Sequence, residues 1–194
     1  MGDLVLTLTT RAMGTRFELV LVGPGARGDR DAARALRAAG EAAFEELHDT
    51  EARWSRFRAT SRLTLLASDG HRTPVVLDQD DLDLWRTVLA VADASGGAFS
   101  PDLAPCAEPG GRLRLEGRHL SLTGPGARLD LGAVAKGHGL DLAGRALREA
   151  GVTCALLHGG TSSVLALGAP PERAAWRVRV AEEQHLSADD GPPA

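Results

Sequence analysis

Two stretches near the N-terminus alternate apolar and polar side chains: DLVLTLT over residues 3–9 and RFELVLV over residues 16–22. A period of two sends successive side chains to opposite faces, so each stretch reads as a strand with one face in a core. Their closeness in sequence joins them as a hairpin. A lone hairpin is marginal in water, so the rest of the chain has to cover its apolar face.

The next segments supply that cover. From Asp29 to about Arg53 the chain is rich in Ala, Leu, Arg and Glu, with Leu36, Ala39, Ala43, Phe44 and Leu47 at helical spacing, which predicts a long helix. A second helix is expected from about Asp80 through LDLWRTVLAVADA, with Leu82, Trp85, Leu89 and Ala92 on one face and Ser95-Gly96-Gly97 at its end. RLRLE (112–116) and HLSLT (119–123) flank Gly117-Arg118 and read as a tight hairpin. A third helix is expected over Leu140 to Ala150, followed by strands in TCALLH, SSVLALG and AWRVRVA. Strands and helices interleave without strict alternation. The fold class implied is α/β (α+β), a mixed β-sheet with packed helices. GPGAR occurs at 23–27 and again at 124–128, and unmatched flanks make it shared turn chemistry, not a repeat. At 194 residues one domain is expected over 1–182, with 183–194 as a frayed polar tail.

Charge and cysteine usage narrow the function. A formal net charge of -4 argues against nucleic acid or an anionic membrane as the partner, since both call for a concentrated positive field. Cys106 and Cys154 are too few and too far apart for a disulfide framework or zinc cluster, and are expected as buried thiols. The N-terminus has an acidic residue where a signal peptide carries basic ones, and no apolar run is long enough to span a bilayer. The expected location is cytoplasmic.

LDLGAVAKGHGLD, residues 129–141, contains Lys136, the one lysine in a chain with 22 Lys and Arg together. Gly132, Gly137 and Gly139 permit tight backbone turns or close approach to a ligand, and a helix is expected just beyond. A glycine turn at a helix N-terminus presents unpaired N–H groups and suits a phosphate. Lys136 would add a point charge there. The competing reading is a plain strand-to-helix turn with a solvated lysine. No GxxxxGK loop is present, and the lysine segment itself carries no GxGxxG fingerprint.

Four further stretches stand in order along the chain: RAMGTRF (11–17), WSRFRATSRL (54–63), SGGAFSPDLAP (95–105) and HGGTSSVLALG (158–168). With the lysine segment they resemble the FAD:protein FMN transferases of the ApbE type. The matching elements are Ala12-Met13-Gly14-Thr15, Ser55-Arg56-Phe57 with Ser61, Gly97 to Pro101, Leu129 to Asp141 and Gly159-Gly160. The resemblance implies FAD as substrate, magnesium, and transfer of FMN to a threonine hydroxyl of a target flavoprotein with release of AMP. By that resemblance Met13, Phe57, Ala98, Phe99 and Ser100 line the cofactor pocket. Lys136 and Asp141 stand near the cofactor, and the carbonyl of Gly139 is a metal ligand.

Each position also has a bland alternative. Met13 and Phe99 read equally as core, Phe57 as the close of a helix end, and Asp141 as a first-turn helix carboxylate. His138 and His158 lack a second ligand at metal spacing and read as ordinary polar residues, and the Asp78 to Asp83 cluster as a helix N-terminus. Two departures stand out. Ser100 occupies the place of the family's aspartate, and the C-terminal TSG, HIIDPxTG and late Asp/Thr elements that complete the family's magnesium site have no equivalent before Ala194. Asp189 and Asp190 lack the following threonine. The expectation is a C-terminally shortened member with an incomplete metal site, the alternative being a non-catalytic FAD-binding or scaffold remnant.

Overall fold

The period-two pattern forms the hairpin it predicts. The computed structural model describes residues 3–26, 28–105 and 111–179. β1 (Asp3–Ala12) runs antiparallel to β2 (Thr15–Pro24), with Ala12 opposite Thr15 at the closed end. Only Met13 and Gly14 connect them, at φ of +50° and +71°. A two-residue loop with both central residues at positive φ matches the strand twist, and is normally written Asn-Gly. Met13 is therefore in a conformation that side chains rarely adopt.

β2 is one of the two inner strands of a four-stranded antiparallel sheet in the order β1-β2-β6-β7, where β6 is Cys154–Gly159 and β7 is Ser163–Leu167. Phe17 lies opposite Gly159 in the ladder. A Cβ on Gly159 would stand 2.4 Å from the Phe17 ring, so the first glycine of the Gly159-Gly160 pair is the space that ring occupies. Two helices cover the sheet. α1 (Arg30–Trp54) starts at Asp29, whose carboxylate accepts from the Ala32 N–H, and buries Leu36, Ala39, Ala43, Phe44 and Leu47. Gly40 lets it approach closely, since a Cβ there would meet Leu8 and Leu21. α4 (Ala135–Glu149) adds Leu140, Ala143 and Leu147 to the same core.

A second core lies beyond the end of α1. It joins Trp54 to α2 (Arg62–Asp69), α3 (Gln79–Ala94), Leu129, Leu131 and a small sheet in the order β3-β5-β4. These strands are β3 (Val75–Val76), β4 (Leu113–Glu116) and β5 (His119–Leu122). Trp54 and Trp85 meet edge to face with ring centroids 5.3 Å apart, a geometry aromatic pairs favour. Ser61 caps α2 and Asp78 caps α3, so the acid cluster at 78–83 is a helix N-terminus.

Three expectations change. α4 begins at Ala135, five residues earlier than Leu140, because Ala135 and His138 donate to the carbonyls of Leu131 and Val134 and carry the helix through both glycines. In AWRVRVA the described part, 175–179, is not strand. Pro170 and Pro171 precede it without N–H donors, a turn closes from Arg173 N–H to the Pro170 carbonyl, and the Trp176 indole donates to Leu167 O. Cys154 is half-buried where a fully buried thiol was expected. Its Sγ donates to Ala169 O at 3.0 Å, and burial pushes the thiol's pKa up. Cys106 and the 183–194 tail lie outside the described residues. Among the described residues no helix is long and apolar enough to cross a membrane.

Candidate functional site

The β1–β2 turn, the C-terminal end of α1, the loop after it and the approach to α4 surround a cavity of about 270 Å³. Met13 and Gly14 enter from the turn, Thr50, Glu51 and Trp54 from α1, Ser55 to Arg58 from the loop, and Asp130, Leu131, Gly132 and Ala135 from the strand-to-helix segment. Met13 is wedged in place. Its Cε lies 2.9 Å from where a Gly139 Cβ would stand, with Leu47 at 3.1 Å on the same glycine. The left-handed turn thus aims a thioether over the helix pair, and a strained backbone held by its surroundings is characteristic of functional positions.

Phe57 forms the opposite wall and is 82% exposed. Its N–H donates to Ser55 Oγ at 3.2 Å, and the Arg56 guanidinium sits over its ring, 4.5 Å from the centroid. Arg56 Nε also faces Asp130 Oδ2 at 3.3 Å. Asp130 in turn accepts from the Gly132 N–H at 2.7 Å, while Arg58 pairs with Glu51 at 3.4 Å. The cavity therefore has an apolar floor, one exposed aromatic wall, and a rim of paired opposite charges.

The start of α4 is open. Val134, at the N-cap, makes no side-chain cap, and the backbone N–H groups of Lys136 and Gly137 have no backbone partner among the described residues. Two free donors at a helix N-terminus, with the half-buried Lys136, form an anion-receptive corner; of the start of α4 only Ala135 lines the cavity, and Lys136 and Gly137 do not.

Helical geometry decides which expected residues share this site. Ala135 and Gly139, four apart, face Met13 and α1. Gly137, His138, Asp141 and Arg145 face away, into a separate cleft of about 520 Å³ against α3. Asp141 is thus parted from Met13 and Phe57. In that cleft Arg145 holds Asp80 through two hydrogen bonds of 2.8 and 2.6 Å, which lowers the Asp80 pKa. Burial keeps His138 below the usual histidine range despite Asp81, Asp80 and Asp141 nearby. Gly139 is the fifth residue of α4, so its carbonyl belongs to the helical ladder.

Residues 98–100 lie elsewhere. Phe99 packs on the second core, Ala98 is exposed, and Ser100 Oγ donates to the Asp102 carbonyl at 2.8 Å. None of the three lines the cavity. Conversely, Arg56 and Asp130 do line it, although neither was singled out as a site residue. The signal for Asp130 was its place between Leu129 and Leu131, both buried: alternation sends it to the other face.

A sequence model of the ApbE family matches residues 13–112 and 110–191. No curated protein sequence matches. Among solved structures, the flavin transferase ApbE from Vibrio cholerae superposes with a TM-score of 0.74 at 18% identity, covering 91% of this chain and 63% of that one. The apo flavinyl transferase ApbE of Pseudomonas stutzeri gives 0.73 at 19%, covering 92% and 66%. The ApbE protein of Thermotoga maritima gives 0.68 at 17%, covering 86% and 60%. The chain spans 60 to 66% of the length of these structures.

Proposed function

Because the chain belongs to the ApbE family, we propose that it binds FAD and transfers its FMN half to a threonine hydroxyl of an acceptor flavoprotein, releasing AMP. The observation that carries this reading is the cavity itself. Met13, Phe57 and Asp130 converge on about 270 Å³ beside the open N-terminus of α4 and Lys136. Pockets for whole drug-sized ligands run from about 300 to 1,000 Å³, so the space suits one aromatic head of a dinucleotide, with the rest lying along the rim. Met13 and Phe57 offer the flat apolar contacts an isoalloxazine uses. The free N–H groups and Lys136 offer charge to the pyrophosphate.

In the transfer, the threonine Oγ attacks the phosphorus on the riboflavin side of the pyrophosphate. The Oγ–P bond forms, the P–O bond to the AMP phosphate breaks, AMP leaves with the bridging oxygen, and the hydroxyl proton passes to water. What this chain supplies is position and charge compensation, the larger part of phosphoryl-transfer catalysis. Magnesium is expected with the pyrophosphate. Among the described residues, however, no three His, Cys, Asp or Glu side chains converge on a metal-sized site, and Asp130 and Glu51 already face Arg56 and Arg58. These side chains do not by themselves fit the ion, so no step is routed through it. The same shortage favours a second reading, FAD binding without transfer.

One experiment separates the two. The protein is incubated with FAD, with and without magnesium, and a peptide carrying a threonine, then run on a denaturing gel. A fluorescent peptide band formed only with magnesium supports transfer, and quenched FAD without a band supports binding alone. No FAD binding sinks both. Lys136→Ala is expected to weaken FAD about tenfold, the value of one charge-assisted hydrogen bond, and unchanged affinity returns the lysine to solvent.

Met13→Gly tests the strained turn. Relief of a left-handed side chain is worth about 1 kcal/mol, offset by lost packing on Leu47, so thermal stability changes by less than about 1 kcal/mol in either direction. FAD affinity is expected to fall about tenfold with the thioether removed. Parallel loss of stability and affinity would mark Met13 as ordinary core.

A further inference from the structure

β1 is an edge strand, bonded on one side to β2 and on the other to no backbone among the described residues. It runs ten residues, pairs with β2 position by position without a bulge, and holds neither proline nor lysine. Natural sheets blunt exposed edges with such devices, because a row of free N–H and C=O groups recruits another strand. The opposite edge is shorter and partly used: β7 has five residues, and the Trp176 indole donates to Leu167 O.

The hairpin dictates which backbone groups of β1 are free. A two-residue turn is closed by a hydrogen-bonded pair, here Ala12 and Thr15, so the even-numbered residues of β1 bond to β2. Asp3, Val5, Thr7, Thr9 and Arg11 turn their N–H and C=O to the edge. Their side chains are exposed, on the sheet face away from α1, since Leu8 faces that helix. Arg11 stands directly opposite Arg16, a like-charge pair that costs stability. Arg16 turns to Glu18, and neither Arg11 nor Asp3 has an ion-pair partner among the described residues.

α1 extends the pattern. It runs alongside β1 in the same direction, with Gly40 close to Leu8 and His48 Nε2 2.8 Å from Thr10 Oγ1. Arg30, Arg34, Arg37, Glu41, Glu45 and His48 recur every three or four residues and share one exposed stripe, which the His48 contact places over β1. Its first half is basic and its second half acidic. Such a stripe complements an antiparallel copy of itself.

We infer that this edge is a self-complementary interface, at which a second copy of the chain adds its β1 antiparallel about a two-fold axis through Thr7. Thr7 then pairs with the partner's Thr7, Val5 with the partner's Thr9, and Arg11 with the partner's Asp3. Each pair falls on residues whose backbone groups face the edge. An axis through Val5 or Thr9 would match the backbone equally but leave Arg11 or Asp3 without a counterpart, so charge selects the register. The two four-stranded sheets become one, and the two α1 helices lie antiparallel on the same face. Arg30 and Arg34 come alongside the partner's Glu45 and the partner's Glu41. Pairing consumes the edge of both copies, so the assembly closes at two. Met13 follows the end of β1 farthest from the second copy's turn, so the two cavities open at opposite ends of the joined sheet. The inference holds whatever those cavities bind.

Light scattering on size-fractionated protein at tens of micromolar tests it. The expected mass is twice the chain's 20.3 kDa. Arg11→Asp is expected to weaken association about tenfold, and combining it with Asp3→Arg to restore the parent affinity to within about threefold. Thr7→Pro removes an N–H that faces the second copy and not β2, and is expected to give a folded monomer, with circular dichroism checking the fold. A monomeric parent overturns the inference. So does a dimer that Arg11→Asp leaves unchanged, that the exchanged pair fails to recover, or that a folded Thr7→Pro variant retains. If Thr7→Pro does not fold, the charge exchange decides alone.

Discussion

Asp81→Ala lowers the unfolding free energy by about 3 kcal/mol, at the lower end of the cost of removing one partner from a buried ion pair. Asp81 is 1% exposed. Its Oδ1 accepts from the Trp54 indole at 2.8 Å and faces Arg53 Nη1 at 3.4 Å, while Oδ2 accepts from Arg62 Nη1 at 2.7 Å. One carboxylate thus ties the end of α1 and the start of α2 to the start of α3. Truncation strands the Trp54 N–H, itself on a side chain only 3% exposed, and an unpaired buried donor costs about 1–3 kcal/mol by itself. The two arginines rehydrate, which holds the total down. Asp81→Asn keeps an acceptor for the indole and is expected to lose about half as much. Urea denaturation followed by tryptophan fluorescence measures both, and a loss below about 1 kcal/mol for the alanine variant would show the network to be surplus.

Asp102→Ala is expected to cost at least as much, about 4 kcal/mol. Asp102 accepts from the N–H groups of Ala104 at 3.0 Å, Arg128 at 2.9 Å and Arg112 at 3.3 Å, and from the Arg112 guanidinium at 3.1 Å. Burial alone would raise its pKa, but these hydrogen bonds from the Arg128, Ala104 and Arg112 backbones and the Arg112 side chain hold it below the usual carboxylate value. Because the folded value is the lower one, the unfolded chain binds the proton more readily. The stabilisation is complete above the unfolded pKa of about 3.9 and is lost as pH falls through the folded value. Stability measured from neutral to strongly acidic pH should therefore drop less steeply for Asp102→Asn than for the parent. Identical slopes would remove Asp102 from the acid response. The variant also loosens the 101–103 and 128–130 pairing, so Asp130 and Arg128 lose their common base.

These buried acids show where sequence reading stops. Strands β1 and β2, helix α1 and helix α3 were legible because each carries a strong apolar period over many residues, and Leu36 to Leu47 report their own burial. The start of α4 was not. Gly137 and Gly139 suggested a turn, yet Gly139 is glycine because Met13 and Leu47 press against it, a contact between segments far apart in the chain. The cavity was legible only in part. Met13 and Phe57 are brought together, whereas Asp141 was assigned without regard to which side of a helix it would occupy. Arg56 and Asp130 form a pair across 74 positions, and no local pattern announces such a partner. Asp102, two residues after Ser100, gave no hint that its carboxylate would be spent on backbone donors.

The sheet order has a consequence for how the chain assembles. β2 meets β1 across two residues but meets β6 only after everything between Pro24 and Cys154 has been placed. The hairpin and α1 are local and form early, while β6 and β7 arrive last, since distant contacts are made only after the closure entropy of the intervening chain has been met. Gly159, where β6 receives the Phe17 ring, is then expected to act late: Gly159→Ala should speed unfolding more than it slows refolding, a partition that stopped-flow folding and unfolding rates measure.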